Sequence, residues 1–288
     1  MRNYRTLVSA PDLAAALLAA PAAADTGQPN ACVVLDCRAA LSDPLAGRRS
    51  FDEGHIAGAQ HADLEQHLAR IGGDGATSRP GGRHPLPDAE TLAKQCGVWG
   101  INETTQVVLY DAHGGAFAAR GWWLLRWLGH ENVAVLDGGL AHWPEPLTRQ
   151  TADPTPQSFA IRPSLTRQAS LTEVAAISDT STPLLDARSI PRFEGREEPI
   201  DPVAGHIPHA RCLPHTGNLD ETGRFLSPAA LRVRFANLAH EATICYCGSG
   251  VTATHNILAI RHAGLPEPRL YPGSFSEWIR DPARPIAR

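Results

Sequence analysis

The residues best suited to chemistry lie in one short loop late in the chain. An apolar run ends at Tyr246 and a helical pattern begins just after Gly250. The residues from the end of the apolar run are Cys247, Gly248, Ser249, Gly250, Val251 and Thr252. A glycine-containing turn at a helix N-terminus directs backbone N–H groups inward, and the helix dipole adds to their positive field. Because both effects stabilise an anion, Cys247 is predicted to be largely thiolate near neutral pH, and the cradle would also hold a persulfide.

A cysteine in this position has several alternative roles. A cysteine at the end of a strand is more often a small apolar filler than a nucleophile. That is the expectation for the other five cysteines, which are Cys32, Cys37, Cys96, Cys212 and Cys245. Glycine-rich turns also bind anions without covalent chemistry. A metal-binding pair of Cys245 and Cys247 is disfavoured, because no second cysteine or histidine cluster follows to complete a tetrahedral site. We expect neither a metal nor an organic cofactor.

A phosphatase loop is the nearest alternative that cradles an oxyanion on a cysteine. Such a loop needs an arginine to close around the phosphoryl group. Here the fifth and sixth residues after Cys247 are Thr252 and Ala253, which carry no charge. The loop therefore favours sulfur chemistry over phosphoryl transfer.

The elements that must position this loop occur twice, because one succession of motifs is present in both halves in the same order. In the first half Val33–Arg38 (VVLDCR) precedes Gly54–Ala59 (GHIAGA), and in the second Pro183–Arg188 (PLLDAR) precedes Gly205–Ala210 (GHIPHA). The further matched blocks are Leu86–Glu90 with Leu226–Ala230, Val108–Asp111 with Ile244–Cys247, and Asp137–Trp143 with Pro272–Trp278. Five blocks in one order predict two related domains.

Each half alternates short apolar runs with helix-like segments. The predicted strands are Val33–Asp36, Gln106–Tyr110, Val133–Leu136, Leu184–Asp186, Ala242–Tyr246 and Arg269–Tyr271. In the first half a helix is predicted over Ala116–Leu128. In the second half helices are predicted to begin near Ser170, where Glu173 completes a capping box, near Ser227 and just after Gly250. This alternation predicts an α/β fold with a mostly parallel sheet flanked by helices in each half.

The domain limits follow from composition. Residues 147–163 are polar, rich in proline and without periodicity, so they are predicted to link a first domain of residues 1–146 to a second of residues 164–288. The second domain would carry Cys247 and be the catalytic one.

The first copy contains additional chain. From His55 to Leu86 the first copy advances 31 positions, whereas the second copy advances 20 positions from His206 to Leu226. The surplus is glycine-rich, lies around Ile71–Arg83 and delivers His84 immediately before the next helix. Loops of this kind often hold functional residues.

Composition excludes several classes of protein. The 288 residues are 43% hydrophobic and 19% charged, with a formal net charge of -4. This composition is typical of a globular protein without a basic nucleic-acid surface, and no apolar run reaches the roughly 18 residues of a membrane helix. We therefore expect neither a nucleic-acid nor a membrane partner. The six cysteines do not form the framework of a small secreted protein, so the thiols are predicted to be reduced and the protein cytoplasmic.

The N-terminus imitates a secretory signal. The stretch from Leu13 to Ala24 is rich in alanine and ends in three consecutive alanines. Pro11 and Asp12 interrupt the apolar core that a signal needs, and Ser9 is placed as the N-cap of a helix with an early proline. A first helix is the favoured interpretation.

On these motifs the chain is identified as a member of the two-domain rhodanese-type sulfurtransferases. The resemblance covers nearly the whole chain, and the loop at Cys247 resembles that of the 3-mercaptopyruvate sulfurtransferases within the wider mercaptopyruvate and thiosulfate sulfurtransferase family. The blocks at Gly138 and Gly273 match the family's signatures in both halves. In that family two rhodanese-like domains are joined and only the C-terminal one keeps the cysteine. The N-terminal copy commonly has aspartate there, and Asp111 occupies that place.

The resemblance implies a two-step transfer. The Cys247 thiolate takes the outer sulfur of a donor as a persulfide and passes it to a nucleophilic acceptor, which could be cyanide, thioredoxin or another thiol. Thiosulfate enzymes resemble each other in placing basic residues directly after the cysteine, whereas Gly248 and Ser249 are uncharged, which favours 3-mercaptopyruvate as donor. The alternatives are a thiosulfate:cyanide sulfurtransferase and a non-enzymatic sulfur-carrier or regulatory module.

The resemblance also implies the roles of other residues. Ser249 would form a proton relay with a histidine, matched by motif to His84, and with an acid, matched to Glu65 with Asp63 as the alternative. The backbone around Gly248, Gly250, Val251 and Thr252 would bind the substrate.

Arg192 matches the family's substrate arginine and would bind a carboxylate or sulfonate through two hydrogen bonds. The family's second substrate arginine is missing, because this chain has Ile200 or Asp201 at that place. Three other residues in signature blocks are expected to be structural: His55, Arg188 and His206.

Overall fold

A computed structural model of the chain describes residues 3–19, 32–70, 81–179, 181–238 and 240–288. These residues form two compact units. The first contains residues 3–19, 32–70, 87–165 and 222–224, and the second contains residues 81–86 together with the remaining described residues from 166 onwards. Residues 147–163 thus lie in the first unit, and the end of the glycine-rich surplus lies in the second. The domain limits drawn from composition stay a prediction.

The first unit contains a five-stranded parallel sheet. Its strands are β1 (Leu7–Val8), β2 (Cys32–Asp36), β3 (Gln60–His61), β4 (Gln106–Tyr110) and β5 (Val133–Leu136), in the order β1-β5-β4-β2-β3. Every residue of β2, β4 and β5 is buried, which is why these strands are apolar in the sequence apart from Asp36 and Gln106 at their ends. The predicted strands of this half are confirmed.

Helices cover this sheet. They are α1 (Ala10–Ala19), α2 (Ala46–Glu53), α3 (Ala89–Val98) and α4 (Ala118–Trp127). Helix α1 begins as predicted, since the Ser9 hydroxyl accepts a hydrogen bond of 3.2 Å from the Asp12 N–H. The alanines at 22–24 that imitate a cleavage site lie outside the described residues.

The second unit contains a four-stranded parallel sheet. Its strands are β6 (Leu184–Asp186), β7 (Ala210–Cys212), β8 (Ile244–Tyr246) and β9 (Arg269–Leu270), in the order β7-β6-β8-β9. Its helices are α5 (Leu171–Ala175), α6 (Ile190–Phe193), α7 (Pro228–Arg234), α8 (Ala253–His262) and α9 (Ser274–Trp278). The capping box of α5 is confirmed, because the Ser170 hydroxyl accepts from the Glu173 N–H at 3.2 Å and Glu173 Oε2 accepts from the Ser170 N–H at 2.8 Å.

The two units repeat one design around their central strands. Asp36 pairs in register with Tyr110, and Asp186 pairs with Tyr246. The arginine two residues after each aspartate binds its carboxylate, as Arg188 does to Asp186 through Nε and Nη2. Arg188 also donates to the Gly205 carbonyl at 2.8 Å. These contacts confirm that the Asp-x-Arg arginine is structural. Among the described helices, none has the length and apolar character needed to cross a membrane.

Candidate active site

Cys247 lies at the carboxyl end of the central strand β8, six residues before α8 begins. It is 2% exposed. The start of α9 holds the loop backbone: the Cys247 carbonyl accepts from the Phe275 N–H at 3.0 Å, and the Gly248 carbonyl accepts from the Ser276 N–H at 2.8 Å. The cysteine is thereby fixed where side chains after parallel strands usually meet ligands.

The turn after Cys247 has the geometry of an anion nest. Gly250 has a φ of 76°, and a Cβ there would collide with the Pro272 carbonyl oxygen, so only glycine fits. Within the described part of the chain, no protein acceptor is found for the backbone N–H groups of Gly248, Ser249, Val251 and Thr252. Unpaired N–H groups at the start of a ten-residue helix attract an anion.

The corresponding loop of the first unit already holds an anion, which is the carboxylate of Asp111. This side chain is fully buried. It accepts four backbone hydrogen bonds, from His113 at 2.7 Å, Gly115 at 2.9 Å, Phe117 at 2.8 Å and Ala118 at 2.9 Å. The carboxylate of Asp111, which stands in place of the cysteine, therefore occupies the nest of backbone N–H groups in its own loop. A loop of this type thus binds a carboxylate in this chain.

His84 and Ser249 are in direct contact. Nδ1 of His84 lies 2.6 Å from Oγ of Ser249, and the two side chains are 2% and 3% exposed. The segment that carries His84 is held against α9, since the Arg83 N–H donates to Ser276 Oγ at 2.9 Å. Gly82 has a φ of 80°, and a Cβ there would lie 2.7 Å from the same oxygen. Residues 81–83, which are the described end of the glycine-rich surplus, thus lead directly to a histidine at the loop of Cys247.

The two candidate acids of the relay lie in the first unit. Asp63 is buried, and its Oδ1 accepts from the N–H groups of Glu65 at 2.8 Å and of Gln66 at 2.9 Å. Glu65 is exposed. Asp63 therefore shapes the local turn, and the partnership of either acid with His84 stays a prediction.

Two arginines approach the loop at Gly248. A Cβ added at this glycine would lie 3.2 Å from Nη2 of Arg83 and 3.5 Å from Nη2 of Arg192. Arg192 donates to Glu198 through Nε at 3.2 Å and Nη2 at 2.7 Å, and to Asp201 at 3.0 Å. Asp201 also binds Nη1 of Arg83. Asp201, one of the two residues at the place of the missing arginine, thus binds two arginines near Gly248.

Sequence reasoning missed Arg83, Glu198 and Asp201 as parts of this site. Arg83 precedes His84 in a glycine-rich loop, and this adjacency was the available signal. Asp201 lies 118 residues from Arg83, and no local pattern predicts such a pair.

The other cysteines fit the role of filler. Burial raises the pKa of Cys32, Cys37, Cys96 and Cys245, and it raises the pKa of Cys212 to about 11. These thiols are therefore protonated at neutral pH.

The signature histidines contact backbone, as expected. His55 Nδ1 lies 2.8 Å from the Phe51 carbonyl oxygen, and His206 Nδ1 lies 2.7 Å from that of Phe193.

Comparison with known proteins shows the family of the chain. A family model described as a rhodanese-like domain matches residues 16–145 and 170–281. A protein of Pseudomonas aeruginosa named "Probable 3-mercaptopyruvate sulfurtransferase" is 49% identical over 281 residues, which are 94% of this chain and 97% of that protein. A protein of Mycobacterium tuberculosis named "Putative thiosulfate sulfurtransferase SseB" is 36% identical over 270 residues, covering 88% of this chain and 90% of the relative.

A solved structure agrees with the fold. The 3-mercaptopyruvate sulfurtransferase SseA from Escherichia coli superposes with a TM-score of 0.75 at 27% identity, covering 95% of this chain and all 100% of that one. The relatives thus carry both donor names.

Proposed function

The chain belongs to the rhodanese family of sulfurtransferases, and from that premise we propose that it moves sulfur from 3-mercaptopyruvate to a thiol or cyanide through a persulfide on Cys247. The observation that supports this choice of donor is the hydrogen bond of 2.6 Å between His84 and Ser249. Ser249 lies two positions after Cys247 in the sequence. Mercaptopyruvate needs a proton to move as its carbon–sulfur bond breaks, and this buried pair is suited to move one.

In the first step the Cys247 thiolate attacks the donor sulfur. A sulfur–sulfur bond forms, the bond between that sulfur and carbon 3 breaks, and its electron pair passes to carbon 3 as the enolate of pyruvate. The thiol proton of the donor ends on carbon 3, so the products are a persulfide anion and pyruvate. The Ser249 hydroxyl, backed by His84, passes this proton, and the loop N–H groups stabilise the persulfide.

In the second step an acceptor thiolate or cyanide attacks the outer sulfur. The new bond forms as the sulfur–sulfur bond breaks, and its electrons return to Cys247 as thiolate. The acceptor leaves as a persulfide or as thiocyanate. No redox partner is consumed.

Local charge supports a monoanionic donor. The guanidinium groups of Arg83 and Arg192 are matched by the carboxylates of Asp201 and Glu198, whose side chains are 2% and 4% exposed. The formal charges of these two arginines and two acids cancel, so a dianion has less attraction here than beside unpaired basic residues.

Thiosulfate as the main donor is the second candidate. The approach of two arginines to Gly248 favours it, because guanidinium groups bind sulfonates as well as carboxylates. The order of the two donors is decided by kcat/KM measured for each. A higher value with thiosulfate would reverse the order proposed here.

The persulfide itself is tested by intact-mass measurement. Incubation with 3-mercaptopyruvate is expected to add one sulfur to the protein, and cyanide or a thiol is expected to remove it. Cys247→Ser should show no adduct, whereas the control Cys212→Ser, which changes a half-buried thiol, should keep it. Absence of the adduct in the unaltered protein would leave the non-enzymatic interpretation in its place.

We place the protein in the cytoplasm. All six cysteines are free, which fits a reducing compartment.

A further inference from the structure

The arginines beside the nucleophile differ in which of their hydrogen-bonding edges is occupied. An arginine binds a carboxylate best through the fork formed by Nε and Nη2, as Arg188 does with Asp186. In Arg192 this fork is filled by Glu198, and Nη2 donates to Asp201 as well. The arginine matched to the substrate role is therefore already engaged by the protein's own acids.

In Arg83 the same fork is open. Its Nη1 binds Asp201, whereas its Nε is buried and lacks a hydrogen-bond partner in the described part of the chain. Its Nη2 is the guanidinium nitrogen nearest to a Cβ placed on Gly248, at 3.2 Å. A buried N–H without a partner destabilises the protein, and a ligand that accepts a hydrogen bond from it removes this penalty.

We propose that Arg83 is the residue that binds the carboxylate of the sulfur donor, with Asp201 holding its guanidinium in place. The inference rests on the proposed function, because it assigns a substrate contact within that site. It changes the assignment from Arg192, whose bonds to Glu198 and Asp201 make it a positioning residue. Arg83 supplies from another part of the chain the second arginine that is absent near Ile200.

The position of Arg83 in the chain supports this role. Its backbone N–H is fixed by Ser276, and the next residue is the relay histidine. One short segment would thus hold the donor carboxylate through Arg83 and move its proton through His84. A donor held at both ends has its sulfur oriented for attack by Cys247.

Pyruvate is the probe that tests the carboxylate contact without sulfur chemistry. Its dissociation constant is measured by calorimetry on the full chain, alongside KM and kcat for 3-mercaptopyruvate. Arg83→Gln and Arg83→Lys are both expected to weaken pyruvate binding and raise KM at least about 10-fold, with kcat changed less than about 3-fold. Lysine keeps the positive charge but cannot donate two parallel hydrogen bonds, so Arg83→Lys should not restore pyruvate binding.

The matched control is Arg196→Gln. Arg196 lies in the same unit and forms an exposed ion pair with Glu194, so its loss should change neither constant. Asp201→Asn removes the carboxylate that holds the guanidinium and should raise KM less than Arg83→Gln does. Thermal unfolding of each variant checks that the fold is kept, and Arg83→Lys is the milder change if Arg83→Gln unfolds.

The results separate this inference from the proposed function. If the unaltered protein forms the persulfide but Arg83→Gln and Arg83→Lys bind pyruvate within 2-fold of it, Arg83 does not hold the carboxylate. If pyruvate binding depends on Arg83 but no persulfide forms, the carboxylate site stands and the proposed function fails. A loss confined to Arg192→Gln would return the role to Arg192.

Discussion

The hydroxyl of Ser274 accepts a hydrogen bond of 3.1 Å from the backbone N–H of Cys247. Ser274 has a φ of 55°, a left-handed conformation that costs a residue other than glycine about 1–3 kcal/mol. The corresponding residue of the first copy is Gly139, with a φ of 58°. The serine hydroxyl also donates to the Tyr271 carbonyl at 3.0 Å. These two bonds offset the backbone strain and connect α9 to Cys247.

Two substitutions at Ser274 should therefore have unequal effects. Ser274→Ala keeps the strain and loses both hydrogen bonds, so the free energy of unfolding should fall by about 1–2 kcal/mol. Ser274→Gly loses the same bonds but relieves the strain, so its loss should be smaller. Urea denaturation measures both. A larger loss for glycine than for alanine would contradict the balance described here.

The contact of His84 with Ser249 predicts an effect that depends on the donor. His84→Ala should lower kcat/KM for 3-mercaptopyruvate about 100-fold, since a relay for the proton is lost. It should lower kcat/KM for thiosulfate much less, because sulfite leaves without needing a proton. Steady-state kinetics with both donors measures this, and equal losses would mean that His84 is structural.

The pairing itself is tested by a double-mutant cycle. Ser249→Ala and His84→Ala should not be additive with 3-mercaptopyruvate, because either change alone breaks the same relay. Additive losses would show that the two side chains act separately.

The nest around Asp111 predicts chemical rescue. Asp111→Ala leaves four backbone N–H groups buried without an acceptor and should lower the free energy of unfolding by about 3 kcal/mol or more. Formate, a small carboxylate, should restore part of this loss by occupying the emptied nest. Denaturation with formate and with an equal concentration of chloride is the measurement. If formate stabilises the unaltered protein as much as the Asp111→Ala variant, formate does not act by occupying the emptied nest.

Buried histidines predict how stability depends on pH. Burial lowers the pKa of His61, His67, His130 and His206 below the ordinary 6.5. As the pH falls below about 6.5 the unfolded chain therefore binds protons that the folded chain does not, and stability decreases. The slope is at most about 1.4 kcal/mol per pH unit for each histidine.

Urea unfolding at several values between about pH 5 and pH 7 measures this slope. His130 bonds the Thr105 carbonyl through Nε2 at 2.9 Å, and His130→Gln keeps a donor that does not titrate. The variant should show a smaller slope than the unaltered protein. An unchanged slope would exclude His130 as a contributor.

Much of the fold follows from the sequence because buried parallel strands leave an unambiguous signal. Strands β2, β4 and β5 each contain a run of three or four consecutive apolar residues, and the capping box at Ser170 is a local pattern. The edge strands β1, β3 and β7 have two or three residues and leave no such pattern. Strand β8 starts later than predicted, at Ile244, because Thr243 closes a turn with His240 through a bond of 2.9 Å.

The residues of the site also differ in whether the sequence predicts them. The loop of Cys247 is a local motif, and motif matching predicts Ser249 and His84, which lie in contact. The open fork of Arg83 depends on which nitrogen Asp201 occupies. Which nitrogen Asp201 binds is determined by packing between segments that are distant in the sequence. The motif around Arg192 therefore cannot predict the role of Arg83.

The place of residues 81–86 in the second unit has a consequence for modularity. These residues come from the first half of the duplicated chain, yet they fold with the half that carries Cys247. A second half expressed alone would keep the nucleophile and its nest but would lack His84 and Arg83. We therefore expect the second half alone to lose the contact between His84 and Ser249.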